Sequence, residues 1–264
     1  MSIVPPLFGS HPNHLLAKLT ASDLGLISPH FAVVKLKQGH VLHGAGDEVE
    51  HVYFPHDGMV SLVAVMRNGK AIETATVGRE GVVGAMAGLG LYKSIVRAVV
   101  QLPMVSSRTS AARFRHAVNA SKAVERISIC YNEVLLSQAR ITAACNALHP
   151  VDARFCRWLL QTADRAESTT VALTQEFLSE MLGVRRTSVT EVAGKLQKNG
   201  VISFSRGVIQ IPDRFRLEAL SCECYKSLIN QSATLGQHLD IASPTLSGIS
   251  YDVIDRRRIP VRPG

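Results

Sequence analysis

Residues 174–210 read TQEFLSEMLGVRRTSVTEVAGKLQKNGVISFSRGVIQ, and the fold turns on how they are read. Thr174 is an N-cap residue ahead of a short helix whose apolar side is Phe177, Leu178 and Leu182. Gly183-Val184 makes a tight turn. A second helix follows from Arg185 to Lys198, with Val189, Val192 and Leu196 on its apolar side. Asn199-Gly200 stops it. Val201-Ile-Ser-Phe and Val208-Ile-Gln-Ile then flank Ser205-Arg206-Gly207 as a short hairpin. Helix, glycine turn, helix and hairpin is the order of a winged helix-turn-helix.

The second helix carries the chemistry. Arg185, Arg186, Thr187, Ser188 and Glu191 lie away from Val189, Val192 and Leu196. Positive charge at a helix start opposes the helix dipole, so two adjacent arginines there are better explained by an anionic partner than by packing. A polar helix end of this kind fits the major groove of duplex DNA, where each base pair shows its own donor and acceptor pattern. Lys195, Lys198 and Arg206 lie where phosphates are the natural partners. The alternative is a helical hairpin used only for packing.

Working outward, residues 119–148 contain neither Gly nor Pro and read as one long helix. Val124, Ile127, Tyr131, Val134, Gln138, Ile141, Cys145 and Leu148 are spaced 3-4-3-4-3-4-3, a heptad seam broken by one polar residue. The expectation is a homodimer seam with Gln138 fixing its register; the alternative is a helix packed on its own domain. His149-Pro150 ends the helix. A further amphipathic helix spans 151–166. From Phe31 to Arg108, short β-rich runs alternate with turn signals. Among these, Asn68-Gly69 marks a hairpin, and the whole reads as a β-barrel or roll.

The bulk properties agree. Forty-six per cent of the 264 residues are hydrophobic, enough to bury a core in two modest domains. A net charge of +8 and a pI near 9.5 favour a polyanionic partner. Cysteines 130, 145, 156, 222 and 224 are odd in number and irregularly spaced, which implies no disulfide framework and a reducing, cytoplasmic setting. Cys222-Glu-Cys224 alone lacks the remaining ligands of a metal site, and on one helix its side chains diverge. We therefore expect no metal and no cofactor. Residues 1–10 show no basic-then-apolar leader, and no apolar run reaches membrane-spanning length. No nucleophile elbow, H-E-x-x-H or P-loop occurs, so no enzyme is expected.

The segment Leu182-Gly-Val-Arg-Arg-Thr-Ser-Val-Thr and its hairpin resemble the Crp/Fnr superfamily of bacterial transcription regulators. So do Gly39-His-Val-Leu-His-Gly-Ala-Gly-Asp and Val52-Tyr-Phe-Pro-His-Asp-Gly-Met-Val-Ser-Leu, which look like the family's early β-roll turn and strand pair. The resemblance covers about residues 15–212. It implies an α+β chain with an N-terminal β-roll sensor domain of the cyclic-nucleotide-binding type over 1–118 and a dimerisation helix over 119–149. A C-terminal winged helix-turn-helix follows over 150–213. Beyond the resemblance, residues 214–264 read from their own pattern as a helix, 214–230, and then a disordered tail rich in Ser, Pro and Gly with the basic run Arg256-Arg257-Arg258. The resemblance also implies double-stranded DNA, RNA polymerase, a second copy of the chain and an unknown small-molecule effector as partners. Arg186 matches the family's guanine-contacting arginine. Thr187 stands where glutamate is frequent, and Glu191 where an arginine is expected.

Other departures concern the effector. Members that bind cyclic AMP hold the ribose with a Gly-Glu carboxylate and the phosphate with an Arg-Ser pair. The matching positions here are Gly84-Ala85 and Tyr92-Lys93. The candidate ligand-binding residues are thus Gly84, Ala85, Lys93 and Arg97, and cyclic AMP is not the expected effector. No cysteine precedes 130, so the N-terminal iron–sulfur ligands of other members are missing. His40, His43, His51 and His56 leave a haem-binding reading open beside the ordinary one of solvated histidines. The competing classes are a true cyclic-nucleotide sensor, and a ligand-binding interaction module that does not bind DNA.

Overall fold

The computed structural model describes residues 11–230. The tail expected beyond 230 lies outside the described residues. A short helix, α1 (Ala21–Gly25), precedes a roll of seven strands: β1 (Ala32–Leu36), β2 (Val41–His43), β3 (His51–Pro55), β4 (Met59–Val65), β5 (Ala71–Val77), β6 (Arg97–Leu102) and β7 (Met104–Ser110). They form two antiparallel sheets, ordered β1-β7-β3 and β2-β6-β4-β5. The Asn68-Gly69 turn joins β4 to β5 as its sequence predicts, with Gly69 at φ +80°. The polar run Met104-Val-Ser-Ser-Arg-Thr-Ser, which does not read as apolar strand, is the central strand of its sheet. It buries Ser106, Ser107 and Thr109.

Helix α2 (Ala111–Ala120) closes the roll, capped by Ser110. The long helix α3 runs Lys122–Leu148; Ser121 caps it, its hydroxyl accepting from the Val124 amide at 3.2 Å. The sequence placed its start at 119, but the cap at Ser121 breaks it from α2. After His149-Pro150 come α4 (Val151–Ala166), β8 (Thr170–Ala172), α5 (Gln175–Leu182), α6 (Arg186–Lys198), β9 (Ser203–Ser205), β10 (Val208–Gln210) and α7 (Arg214–Leu220). The helix expected over 214–230 is interrupted at 221–223, with Ser221 extended, and residues 224–230 are helical again.

The heptad seam of α3 is not free. Val124, Ile127, Tyr131, Gln138 and Cys145 are buried in their own chain, and Val134 and Ile141 are half-buried. The first three join the roll core with Val77, Val82 and Val83. Gln138 is not a register device across a dimer. Its Nε2 donates to the Thr76 carbonyl at 3.2 Å and its Oε1 accepts from the Thr76 amide at 3.1 Å, extending the edge of β5. Two seam positions further back, Gly81 lets Tyr131 lie close to the roll, since a Cβ there would overlap the Tyr131 ring. Of the eight seam residues only Leu148 is well exposed. The seam thus belongs to the alternative reading, a helix packed on its own domain. The outward stripe of α3 is a different one, Ile129, Leu136 and Ala143, also seven apart, with Ile129 52% and Leu136 41% exposed.

The C-terminal core is built on α4. Phe155, Trp158 and Leu159 pack with Leu178 and Leu182 of α5, Val189, Val192 and Leu196 of α6, and Ile209 of β10. Each such side chain fully removed from water is worth about 1.5–3 kcal/mol. The same core continues onto the outer face of the roll through Met59, Val63, Val99 and Leu102. At that joint the Trp158 Nε1–H donates to Glu73 Oε1 at 2.8 Å, and the Ser61 hydroxyl lies against both Glu73 and Gln101.

Candidate nucleic-acid interface

The turn between α5 and α6 needs glycine at Gly183. Its φ is +63°, where a side chain is strained, and a Cβ would sit 2.7 Å from Ile72 Cδ1 of the roll. The Gly183 amide closes α5 on the Glu180 carbonyl, and Arg185 then takes the N-cap position of α6. Arg185 was expected inside the helix and instead precedes it, with no side-chain cap. Helix α6 has no acidic residue in its first turn and carries Lys195 and Lys198 in its last.

The periodicity places the faces as the sequence predicts. Val189, Val192, Ala193 and Leu196 are buried, while Arg185, Arg186, Thr187, Glu191, Lys195 and Lys198 are exposed. Ser188 is half-buried and its amide closes on the Arg185 carbonyl at 3.0 Å. The wing is an antiparallel sheet ordered β8-β10-β9, with Arg206 (φ +50°) and Gly207 (φ +76°) at its tip. Positive φ at both turn residues matches the tight hairpin turn that suits twisted strands. It holds Arg206 exposed beside Arg186. These two arginines, with Thr174, Gln175 and Phe204, line a notch of about 360 Å³.

Sequence reasoning missed two residues here. The Thr190 hydroxyl donates to Gln175 Oε1 at 3.0 Å, tying α6 to the start of α5 beside Arg186. Gln175, at the first position of α5, lines the notch. Its place after the N-cap Thr174, whose hydroxyl accepts from the Phe177 amide, was the available signal.

The second candidate site is a cavity of about 480 Å³ between the roll and α3. Its lining is largely apolar, including Val83, Ala85, Leu135 and Leu136; His43 and Lys93 are among its polar members, with Thr74, Ser94, Ser128 and Asn132. Gly84 and Ala85 do line it; Gly84 has φ +84°, and a Cβ there would press on the His51 carbonyl. Burial holds His43 below the usual histidine pKa, so its imidazole favours the neutral form. Arg97 is not a cavity residue. Its Nη2 pairs with Glu180 Oε1 of α5 at 2.6 Å, so its charge serves the contact between domains. Tyr92 is also turned away, with the Arg115 guanidinium stacked 4.2 Å over its ring. Among the described residues His40, His43, His51 and His56 do not gather into a group of metal-ligand geometry.

Two family models match the chain. The cyclic nucleotide-binding domain matches residues 33–119, covering the roll, and the Crp-like helix-turn-helix domain matches residues 153–220. The chain belongs to the Crp/Fnr family of transcription regulators. Its solved relatives share the fold. A protein assigned to that family from Eubacterium rectale superposes with a TM-score of 0.64 at 19% identity, over 79% of this chain and 98% of its own. FixK2 from Bradyrhizobium japonicum gives 0.63 at 18% identity, over 73% and 98%. The c-di-GMP-responsive regulator CLP from Xanthomonas campestris gives 0.59 at 17% identity, over 73% and 99%. A search of curated proteins found no match. No helix among the described residues is long and apolar enough to cross a membrane.

Proposed function

We propose that this regulator binds duplex DNA as a homodimer in the cytoplasm and reads a palindromic operator with the N-terminal half of α6. The observation that carries the reading is the split of that helix: Val189, Val192 and Leu196 buried, Arg185, Arg186, Thr187 and Glu191 presented with Arg206 alongside. Arg186 makes a bidentate contact to guanine O6 and N7, and Glu191 accepts from a cytosine amino group on a neighbouring pair. Thr187 and Ser188 reach a phosphate or a thymine methyl. Lys195, Lys198 and Arg206 hold the backbone, and RNA polymerase is the partner on bound DNA.

The dimer contact is the outward stripe of α3, Ile129, Leu136 and Ala143. What supports it is spacing and exposure, since those apolar residues are left without cover in the single chain. Leu136 also lines the cavity, so a partner helix laid on this stripe closes the effector site. The effector is a mainly apolar small molecule rather than cyclic AMP. Ala85 stands where a ribose-binding carboxylate is required, and among its lining residues only Lys93 carries a fixed positive charge.

Selection of bound duplexes from a random pool tests the reading. The expected consensus is an inverted repeat with half-site centres roughly 10–10.5 bp apart, one helical turn. An enriched pool without two-fold symmetry, or no enrichment at all, would contradict it.

A further inference from the structure

Four side chains distant in sequence meet behind the hinge between α3 and α4. They are Cys145 in the last turn of α3, His149 at its end, and Cys222 and Cys224 after α7. Their ligand atoms all lie within 4.8 Å of one another. Cys145 Sγ is 3.5 Å from Cys222 Sγ, and Cys224 Sγ is 3.6 Å from His149 Nδ1. Ligands held at about 2.0–2.3 Å around a tetrahedral ion stand roughly 3.5–3.8 Å apart, so both measured edges fit one ion. The three sulfurs are buried.

The surroundings are those of a metal site. His149 presents Nδ1 to the sulfurs while its Nε2 is 3.1 Å from Glu223 Oε1. A carboxylate behind a histidine fixes the ring and leaves the inner nitrogen free to ligate. Arg154 and Arg157 are 7% and 4% exposed, act on these thiols electrostatically, and hydrogen-bond to the neutral side chains of Asn146 and Gln161, with no direct ion pair to a carboxylate among the described residues. Buried cations need a counter-charge. Three thiolates and one neutral histidine around a divalent ion carry a net −1, and supply it. The break after α7 makes the geometry possible. Cys222 lies before the helical residues that begin at 224, so the divergence expected of two cysteines on one helix does not arise.

We propose that Cys145, His149, Cys222 and Cys224 form a mononuclear, tetrahedral zinc site that staples the segment after α7 to the end of α3. Binding replaces three thiol protons by one divalent ion, with three protons released to solvent. Three sulfurs and one imidazole in tetrahedral array suit zinc, a redox-inert ion that needs no open coordination position here. The ion spans the His149-Pro150 hinge, so its presence fixes how the helix-turn-helix sits on α3. That regulatory consequence rests on the proposed DNA-binding function; the metal content does not.

The test uses the full chain, purified reduced and without chelator, with metal measured by mass spectrometry. One zinc per chain is expected. Cobalt(II) added to the reduced apo-chain should give a thiolate-to-metal charge-transfer band and the intense visible bands of a tetrahedral ion. Cys222→Ser and Cys224→Ser should each lose stoichiometric zinc, and Cys130→Ser should keep it. Glu223 is exposed and its Gln variant is expected to fold, with affinity lowered roughly 10–100-fold. A reduced wild-type chain that takes up neither zinc nor cobalt would overturn the site, and so would acid-labile sulfide, the mark of an iron–sulfur cluster. Full zinc in Cys222→Ser would overturn the ligand assignment. Zinc bound as expected, with operator binding indifferent to its removal, would retain the site and refute its regulatory role.

Discussion

Replacing Glu73 by glutamine probes the joint between the roll and the DNA-binding domain. Burial among Ser61, Gln101 and Trp158 raises the Glu73 carboxyl from 4.5 to about 7, although hydrogen bonds from Ser61 and Trp158 and the charges of Arg157 and Arg165 work the other way. Between those two values the folded chain holds a proton that the unfolded chain has released. Stability is therefore fully present below about 4.5 and falls as pH rises through about 7. One tenfold step in proton affinity is about 1.4 kcal/mol, so the loss over that window is ~3 kcal/mol. A glutamine side chain keeps the shape and cannot ionise. The Glu73→Gln chain should match the wild type at pH 5 and exceed it in stability by ~2–3 kcal/mol at pH 8. Urea unfolding across this range can be followed by the fluorescence of Trp158, the single tryptophan, whose indole bonds to Glu73. Subtracting the two curves removes every other titrating group. Parallel curves for the two chains would refute the reasoning, because Glu73 would then be ionised at no cost.

Two further predictions concern assembly and the effector. Leu136→Glu puts a charge on the outward stripe of α3 and should give a monomer at low micromolar concentration by sedimentation equilibrium. An unpaired buried charge costs several kcal/mol, and a variant still dimeric would remove this stripe as the contact. Ile141→Glu, suggested by the sequence seam, instead disturbs the packing around Cys145 and Cys222. Cyclic AMP should bind no tighter than millimolar by calorimetry, since losing each charged partner typically costs ~2–5 kcal/mol; a dissociation constant below about 50 µM would contradict the cavity assignment.

The helix-turn-helix was legible because its signals are local: a cap at Thr174, a glycine at 183 between two helical patterns, and an Arg-Gly turn at 206–207. The roll was legible in outline, through its turns, but β7 was not. Its serines and threonine are buried because the strand pairs through its backbone on both sides, with β1 and β3, which an apolar count does not detect. On α3 the periodicity correctly located an apolar face and could not say what covers it. A helix lying on its own roll and a helix lying on a twin write the same seven-residue pattern, and only the position of β5 against Gln138 separates them. The cysteine cluster was invisible for a different reason. Cys145 and Cys222 are 77 residues apart, and only the break at 221–223 turns Cys222 and Cys224 toward one centre.

The most direct test of base reading by α6 is the binding of Arg186→Ala and Lys198→Ala to a selected operator and its single-base variants, over a range of salt. Arg186→Ala should lose about 1–3 kcal/mol and its preference at one guanine of each half-site. Lys198→Ala should weaken all sequences alike and lower the salt slope by about one. If Arg186→Ala weakened every sequence equally, Arg186 would be a phosphate contact, and α6 would not read bases in the way its exposed face implies.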